Sequence, residues 1–401
     1  MKRAIVLVID ALGVGALPDA PQFGDPPNAN TLANVAKAND GLALPHLGRL
    51  GLGNILEVAG VPSCPQPQAA WGRMAEASHG KDTTTGHWEL AGLVLDRPFD
   101  VYPSGFPDDL ISEFVARAKC GGVLGNIPAS GTAIIEEFHQ EHLRTGRPIL
   151  YTSADSVFQI AVETSRVPLA TLYAWCETAR ALLDERAEEH NVSRVIARPY
   201  LATAEGLRRD NAHRHDYAVL PSGPTLFDHL HAGGYRTLSI GKIVDIFLGR
   251  GVSHAVRSAS NKDGLEQTLQ ALLGTLDLTA CRQLPNSDAF EGAATKGEFV
   301  FINLVDTDSL YGHRNDPLGY GRALEEIDTY IPDLLAALGA DDLFIITGDH
   351  GCDPTVPGTD HTREFVPLLV YGGGVAPCDL GTFPSFVEVA HRVESWLGYS
   401  A

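Results

Sequence analysis

The chain has 401 residues, of which 44% are hydrophobic and 20% charged, and a formal net charge of −20. That length and apolar share allow a large core and two domains. The acidic surplus argues against nonspecific binding to nucleic acid or to an anionic membrane, and leaves room for a phosphorylated metabolite held in a local basic pocket.

Six cysteines, Cys64, Cys120, Cys176, Cys281, Cys352 and Cys378, are scattered without a CxxC pair. They read as reduced thiols of a cytoplasmic protein. The apolar run after the basic start "MKR" stops at Asp10, which is short for a signal peptide. No segment approaches the ~18 apolar residues of a membrane span.

In chain order, Ala4 to Ile9 is a continuous apolar run rich in β-branched residues. Such a run predicts a strand buried on both faces of a parallel sheet. Asp10 closes it. The decapeptide "GKDTTTGHWE", Gly80 to Glu89, is too polar for a core strand and lines up three hydroxyls behind an acid. It is either a solvated loop or a nucleophile with its housing. From about Pro98 to Tyr217 the core pattern is interrupted by Pro/Gly-rich joints, by "ILYTSADSVFQIAV", read as a strand leading into a helix, and by a helix-like "LATLYAWCETARALLDERAEEH". An inserted domain is expected there. The core pattern resumes in "YRTLSIGKIVDIF". The stretch 274–297 reads as a surface excursion without chemistry. Further strands are expected in "FVFINLVD", "DLFIITGDHG" and "FVPLLVYG", with a helix in "ALEEIDTYIPDLLAAL". Strand, helix and strand in alternation predict a doubly wound α/β sheet, whose ligands bind beyond the carboxyl ends of the strands.

Acids and histidines gather at those ends. Asp10, Asp308, His313, Asp349, His350 and His361 each lie at a strand end or in the loop after one. Any one of them alone is more simply a helix cap, a turn residue or a solvated side chain. Together they offer enough carboxylate and imidazole for two ions, with the oxygen share leaning to Mn²⁺ over Zn²⁺. Two ions can clamp a phosphoryl group. Asp306 and Asp360 are weaker members, and Cys352 suits packing better than ligation.

With these segments in view, the chain resembles the prokaryotic phosphopentomutases of the alkaline phosphatase superfamily. The resemblance rests on "VIDALGVGALPDAPQFGD", "GKDTTTGHWELAG", "YTSADSVFQIA", "RVIARPY", "RHDYA", "IGKIVDIF", "NLVDTDSLYGHRNDPLGYG" and "GDHGCDPTVPGTDHTREFVPLL". These run almost to residue 370. The pairing of "GKDTTTGHWE" with "GTDHTRE" is its most specific part. The sequence departs from the family pattern at Gly348 and Cys352.

The resemblance implies an alkaline-phosphatase-like α/β core, residues 1–97 and 218–401, with an inserted smaller α/β cap, residues 98–217. It implies interconversion of ribose 1-phosphate and ribose 5-phosphate, and of the 2-deoxyribose pair, through a phosphothreonine and a bisphosphate intermediate. Two Mn²⁺ ions are implied, one on Asp10, Thr83, Asp349 and His350, the other on Asp308, His313 and His361. A sugar bisphosphate activator, glucose 1,6-bisphosphate or ribose 1,5-bisphosphate, is implied to phosphorylate Thr83. Ser153, Asp155 and Arg194 in the cap and Lys242 in the core match substrate-facing positions, with Arg198 and Arg214 as further phosphate contacts. Among the three threonines, composition does not choose. If the segment runs from loop into helix, the residue at the helix start can aim its oxygen at a metal, and free N–H groups there favour phosphate. Thr85 is then expected as a cap or turn residue and Thr84 as pointing away. Two rivals stay open: a cofactor-independent phosphoglycerate mutase or phosphatase of the same superfamily, and a metal-stabilised binding protein without turnover.

Overall fold

A computed structural model of the chain describes residues 1–153, 156–204, 206–279, 281–283 and 296–399. The chain divides into two compact units, one made of Met1–Arg97 with Pro221–Ala401 and one of Pro98–Leu220. The larger unit begins with strands β1 (Arg3–Ile9) and β2 (Ala70–Met74). The smaller unit holds β3 (Leu124–Pro128), β4 (Ile149–Thr152), β5 (Val157–Glu163), β6 (Arg194–Thr203), β7 (Gly206–Arg209) and β8 (His215–Ala218). The larger unit then continues with β9 (Arg236–Ile240), β10 (His254–Val256), β11 (Arg282–Gln283), β12 (Glu298–Leu304), β13 (Asp342–Thr347), β14 (Val366–Gly372) and β15 (Asp379–Phe383).

The sheet of the larger unit runs β11-β10-β9-β12-β1-β13-β14-β2-β15. Its centre, β10-β9-β12-β1-β13, is parallel. β14 turns antiparallel to β13, and β2 antiparallel to β14. β1 lies between β12 and β13, with Ile9 opposite Leu304 and Val8 opposite Thr347. Its residues Ala4 to Ile9 are wholly buried, as an uninterrupted apolar run on a two-sided sheet requires. Each of its Ile, Val and Leu side chains contributes about 1.5–3 kcal/mol on burial. The alternating strand and helix pattern therefore yields the α/β architecture the sequence predicts, with a mixed rather than wholly parallel sheet.

In register, β1, β12 and β13 end side by side, so the residues that follow them are neighbours. Asp10 directly follows β1, and its N–H donates to the Leu304 carbonyl at 3.1 Å. Asp308 follows β12 in a short helical turn, Thr307–Tyr311. Asp349 and His350 follow β13. The long helix after this turn, Pro317–Ala337, returns the chain to β13.

The smaller unit carries a second sheet, β3-β4-β5-β6-β7, with β8 also paired to β6. Here the sequence reading needs correction. "SVFQIAV" is not a helix but the strand β5, antiparallel to β4 and parallel to β6. All seven of its residues are buried, and Val, Phe and Ile side chains suit a pleated, doubly covered position. The helix-like segment that follows forms as Leu169–Glu185. The unit runs through Leu220 because β8 pairs with the start of β6, Arg194 opposite Ala218. Of the 274–297 stretch, Arg282 and Gln283 pair with β10, while Ala280 and residues 284–295 lie outside the described residues.

Candidate active site

The decapeptide forms the helix Thr83–Leu90, preceded by Asp82 as its cap. The Asp82 carboxylate accepts the N–H groups of Thr84 and Thr85 at 3.0 and 3.2 Å, and the Thr85 hydroxyl at 2.7 Å. The cap is therefore Asp82, with Thr85 supporting it, and two of the first-turn N–H groups expected to receive phosphate, those of Thr84 and Thr85, are taken by Asp82. Thr83 occupies the first helical position. Its side chain is buried, and its Oγ1 lies 3.1 Å from His350 Nε2.

Around Thr83 the strand-end residues converge. His350 Nε2 stands 3.4 Å from Asp10 Oδ1 and 3.2 Å from Asp349 Oδ2. Beside them, Asp308 faces two imidazoles, with His361 Nε2 3.3 Å from its Oδ1 and His313 Nε2 3.3 Å from its Oδ2. The His350 and His361 rings are 4.0 Å apart between centroids, which joins the two clusters. Asp10, Asp308, Asp349 and His350 are all buried.

These groups fit divalent cations. Asp10 Oδ1, Asp308 Oδ1, Asp349 Oδ2 and His361 Nε2 are buried without a hydrogen bond. Imidazole nitrogens stand 3.0–3.4 Å from these carboxylate oxygens. Buried polar atoms without partners are costly unless something else satisfies them. The imidazoles are also anchored as ligands are. His350 Nδ1 binds the Gly351 carbonyl at 3.0 Å, and His313 Nδ1 the Thr359 carbonyl at 2.6 Å. A carbonyl at Nδ1 fixes the proton there and leaves the Nε2 lone pair for a cation. Electrostatics agree. Burial and the charges of Asp349 and Asp308 raise Asp10 to about 7. Burial works against the charge of Asp349, yet His350 and His87 hold it below its ordinary range. His313 rises to about 9, chiefly through Asp308. The site thus gathers negative charge that is incompletely compensated by the chain itself.

Several residues the motif analysis left without a role build this site. His87 is fully buried. Its Nδ1 lies 2.9 Å from the Thr83 carbonyl and 3.0 Å from Asp349 Oδ2. Asn303, in β12, donates its amide to His87 Nε2 at 2.7 Å and to Asp10 Oδ2 at 2.9 Å. Gly86 lets the helix approach β13, since a Cβ there would sit 2.1 Å from the Asp349 carbonyl oxygen. Glu89 accepts the N–H groups of Ala77, Ser78 and Phe386. Arg363, two residues after His361, donates to the carbonyls of Glu76, Ser78 and Gly80. It also pairs with Asp19 and with Glu76, at 3.0 and 2.9 Å. The loop before Thr83 is thereby fastened to the segment that carries His361. Ala11 adopts a left-handed φ of 66°, and its N–H donates to Asp349 Oδ1 at 3.0 Å. A non-glycine residue held there costs roughly 1–3 kcal/mol and marks a functional constraint.

The weaker candidates separate cleanly. Asp306 turns away to accept the Asn261 N–H at 2.8 Å. Asp360 pairs with Lys81 at 2.9 Å. Cys352 is buried, its ionisation opposed by burial, and its N–H donates to the Thr31 hydroxyl. Its sulfur nonetheless lies within 4.8 Å of the ligand atoms of Asp308 and His313. A Cβ at Gly348 would meet the Leu12 carbonyl oxygen at 2.5 Å, so the glycine permits the close passage of the Leu12 backbone.

Of the substrate-facing residues, Ser153, Arg194, Arg198 and Arg214 line one cavity of the smaller unit. Asp155 lies outside the described residues. Lys242 belongs to the larger unit, where it is exposed at the start of the short helix Ile243–Ile246 that follows β9.

Residues 2–397 match the Metalloenzyme superfamily. The chain is 49% identical over 397 residues to a phosphopentomutase of Anaeromyxobacter sp. (strain K), covering 99% of this chain and 96% of that one. It is 48% identical over 402 residues to a phosphopentomutase of Acetivibrio thermocellus, covering 100% and 97%. A third, from Carboxydothermus hydrogenoformans, is 49% identical over 399 residues, covering 99% and 96%. With identity of this size over nearly the whole of both chains, and a superfamily match over residues 2–397, the chain belongs to the phosphopentomutase family of the metalloenzyme superfamily.

Proposed function

We propose that the protein is an isomerase that interconverts ribose 1-phosphate and ribose 5-phosphate, and the 2-deoxyribose pair, with Thr83 as the group that carries phosphate. The observation that carries this reading is the placement of the Thr83 hydroxyl beside buried carboxylates and imidazoles that face one another without satisfying one another. Asp10, Thr83, Asp349 and His350 would hold one divalent cation, and Asp308, His313 and His361 a second. The mixed oxygen and nitrogen donor set suits Mn²⁺. When bound, such ions supply charge neutralisation for a phosphoryl group.

The chain's own residues do the rest. Helix packing and the Asp82 cap hold Thr83 at a fixed position, so its hydroxyl meets a phosphoryl group without first being ordered. In the cycle, a sugar bisphosphate such as glucose 1,6-bisphosphate or ribose 1,5-bisphosphate gives one phosphoryl group to the Thr83 oxygen: the sugar O–P bond breaks, the threonine hydroxyl loses its proton, and the freed sugar oxygen gains one to leave as the hydroxyl of a monophosphate. The phosphothreonine passes that group to the free hydroxyl of a pentose monophosphate, forming a pentose bisphosphate. The phosphoryl group that the pentose brought with it is then transferred to Thr83, and the freed sugar oxygen takes up a proton, which releases the isomeric monophosphate and restores the phosphothreonine. Residues 1–97 and 221–401 carry this chemistry. A cap of residues 98–220 supplies sugar contacts through Ser153, Asp155, Arg194, Arg198 and Arg214, with Lys242 contributed by the core. Both substrates are small phosphosugars, as suits a cytoplasmic enzyme with reduced thiols. No helix among the described residues is long and apolar enough to cross a membrane.

The test is formation of ribose 5-phosphate from ribose 1-phosphate by Mn²⁺-loaded protein primed with glucose 1,6-bisphosphate, with mass spectrometry of the primed protein. Turnover and phosphate on Thr83 are expected. Absence of turnover by metal-loaded, primed protein, or phosphate on Thr84 or Thr85, contradicts the reading.

A further inference from the structure

Two segments of the larger unit meet beside Thr83. Residues 80–82 lead into the helix Thr83–Leu90, and residues 359–363 carry the candidate ligand His361. Lys81 joins them. Its ammonium stands 2.8 Å from Asp25 Oδ1 and 2.9 Å from Asp360 Oδ2, and it donates to the Phe23 carbonyl at 3.4 Å. An ammonium has three protons, so these three acceptors occupy it and leave none for a phosphate.

Both ends of the contact reach the candidate chemistry. Lys81 lies two residues before Thr83, and the backbone around it has little play. A Cβ on Gly80 would meet the Thr85 hydroxyl oxygen at 2.6 Å, and Asp82 holds the Thr84 and Thr85 N–H groups. At the other end, the Asp360 carboxylate accepts the His361 N–H at 2.9 Å. The carbonyl of Thr359, one residue earlier, anchors His313 at 2.6 Å. The ion pair thus runs from the backbone that sets Thr83 to the backbone that sets His313 and His361. The two carboxylates differ in burial. The Asp25 side chain is 8% exposed and that of Asp360 70%. Asp25 also accepts the Arg363 N–H at 2.7 Å, so its pairing with Lys81 belongs to the folded core. An exposed partner such as Asp360 adds little to stability. What the Lys81–Asp360 contact adds is spacing.

We propose that Lys81 is a positioning residue that sets the distance between Thr83 and the second cation group, Asp308, His313 and His361, acting through Asp360. This rests on the function proposed above, in which both groups act on one phosphoryl transfer. Such a transfer depends on placement, and a displacement of about 1 Å can cost about 10²-fold in rate. The pair also gives a physical reason for the company that "GKDTTTGHWE" and "GTDHTRE" keep in this chain: each supplies one half of it. Lys81 needs no contact with substrate to do this.

The experiment compares Lys81→Met, Asp360→Asn and the double variant in the full-length protein. Mn²⁺ titration followed by electron paramagnetic resonance counts bound ions, steady-state kinetics separates kcat from KM for ribose 1-phosphate, and urea denaturation reports folding. Charge alone predicts opposite signs, because loss of the ammonium should tighten Mn²⁺ and loss of the carboxylate should loosen it. Positioning predicts one sign: in both single variants one Mn²⁺ binding step should weaken about tenfold or more. In both, kcat should fall about tenfold or more while KM stays within about threefold. The double variant should be no worse than the worse single variant, since the three remove one contact. Folding should not follow the same pattern. Lys81→Met leaves the buried Asp25 without its cation and should lower the urea midpoint, whereas Asp360→Asn should keep the parent's. Tighter Mn²⁺ binding in Lys81→Met, a parent-like kcat in Asp360→Asn, losses that multiply in the double variant, or a raised KM with unchanged kcat would each overturn the assignment. If the parent itself shows no mutase turnover, the proposed function fails, and the Mn²⁺ titration of the three variants still decides the role of Lys81.

Discussion

His87 Nδ1 lies 3.0 Å from Asp349 Oδ2 and 2.9 Å from the Thr83 carbonyl. One imidazole therefore spans the helix that carries the candidate nucleophile and the strand end that carries a candidate ligand. Its other nitrogen is occupied by Asn303, which also holds Asp10. Partners of this kind fix the orientation of a ligating carboxylate.

His87→Ala should lower turnover by roughly 10–100-fold, the usual cost of losing an orienting partner of a ligand. Metal content should fall with it, while Thr83 remains present and chemically intact. Steady-state rates and metal analysis on the purified variant check this. Parent-like rates with full metal content would leave His87 as core packing.

Asp308→Ala should leave a folded protein with little activity. It removes the carboxylate shared by His313 and His361, at 3.3 Å each, and leaves Asp10 and Asp349 untouched. Metal content should decrease and the far-ultraviolet spectrum should not. Unchanged turnover with unchanged metal content would disprove the assignment of Asp308, His313 and His361 to a cation.

The three threonines should differ in kind. Thr83→Ala should abolish mutase turnover, since it removes the hydroxyl placed beside His350. Thr85→Ala should cost about 1 kcal/mol of stability through loss of its bond to Asp82, with turnover retained. Thr84→Ala should be nearly neutral in both, because Thr84 is only half-buried. Chemical denaturation and turnover, measured on all three, separate these outcomes.

Arg363 should matter through stability. It is buried, its guanidinium serves three carbonyls, and it pairs with Glu76, whose carboxyl is pushed well above its ordinary pKa by burial, with Arg363 opposing. Arg363→Ala should destabilise the protein by about 3–5 kcal/mol, as removal of one member of a buried pair does. Arg363→Lys should recover only part of this, because an ammonium cannot reproduce the planar fork. Urea denaturation midpoints of the two variants provide the measure.

Arg194→Ala should weaken sugar-phosphate turnover far more than metal content, since Arg194 lies in the smaller unit and the candidate ligands all lie in the larger. Loss of metal in this variant would contradict the division of labour between the two units.

Much of this was determined by the sequence itself. The apolar runs at Ala4–Ile9, in "FVFINLVD" and in "DLFIITGDHG" read as buried strands, because they are short, rich in β-branched and aromatic residues and have no polar face to turn to water. Acids and histidines at the ends of such strands must emerge at one edge of a parallel sheet, so their convergence was legible before any coordinates. What the sequence left open depended on register and packing. Asp306 and Asp308 are two residues apart, and the helical turn Thr307–Tyr311 decides that one caps Asn261 and the other faces His361. The strand β5 was mistaken for a helix because a short apolar run is compatible with both, and only its pairing with β4 and β6 settles it. Asp82 became the cap, in place of Thr85, through a local rotamer choice no periodicity encodes. His87, Asn303 and Arg363 come from distant segments and act through contacts with residues about 200 or more positions away, for which sequence spacing carries no signal.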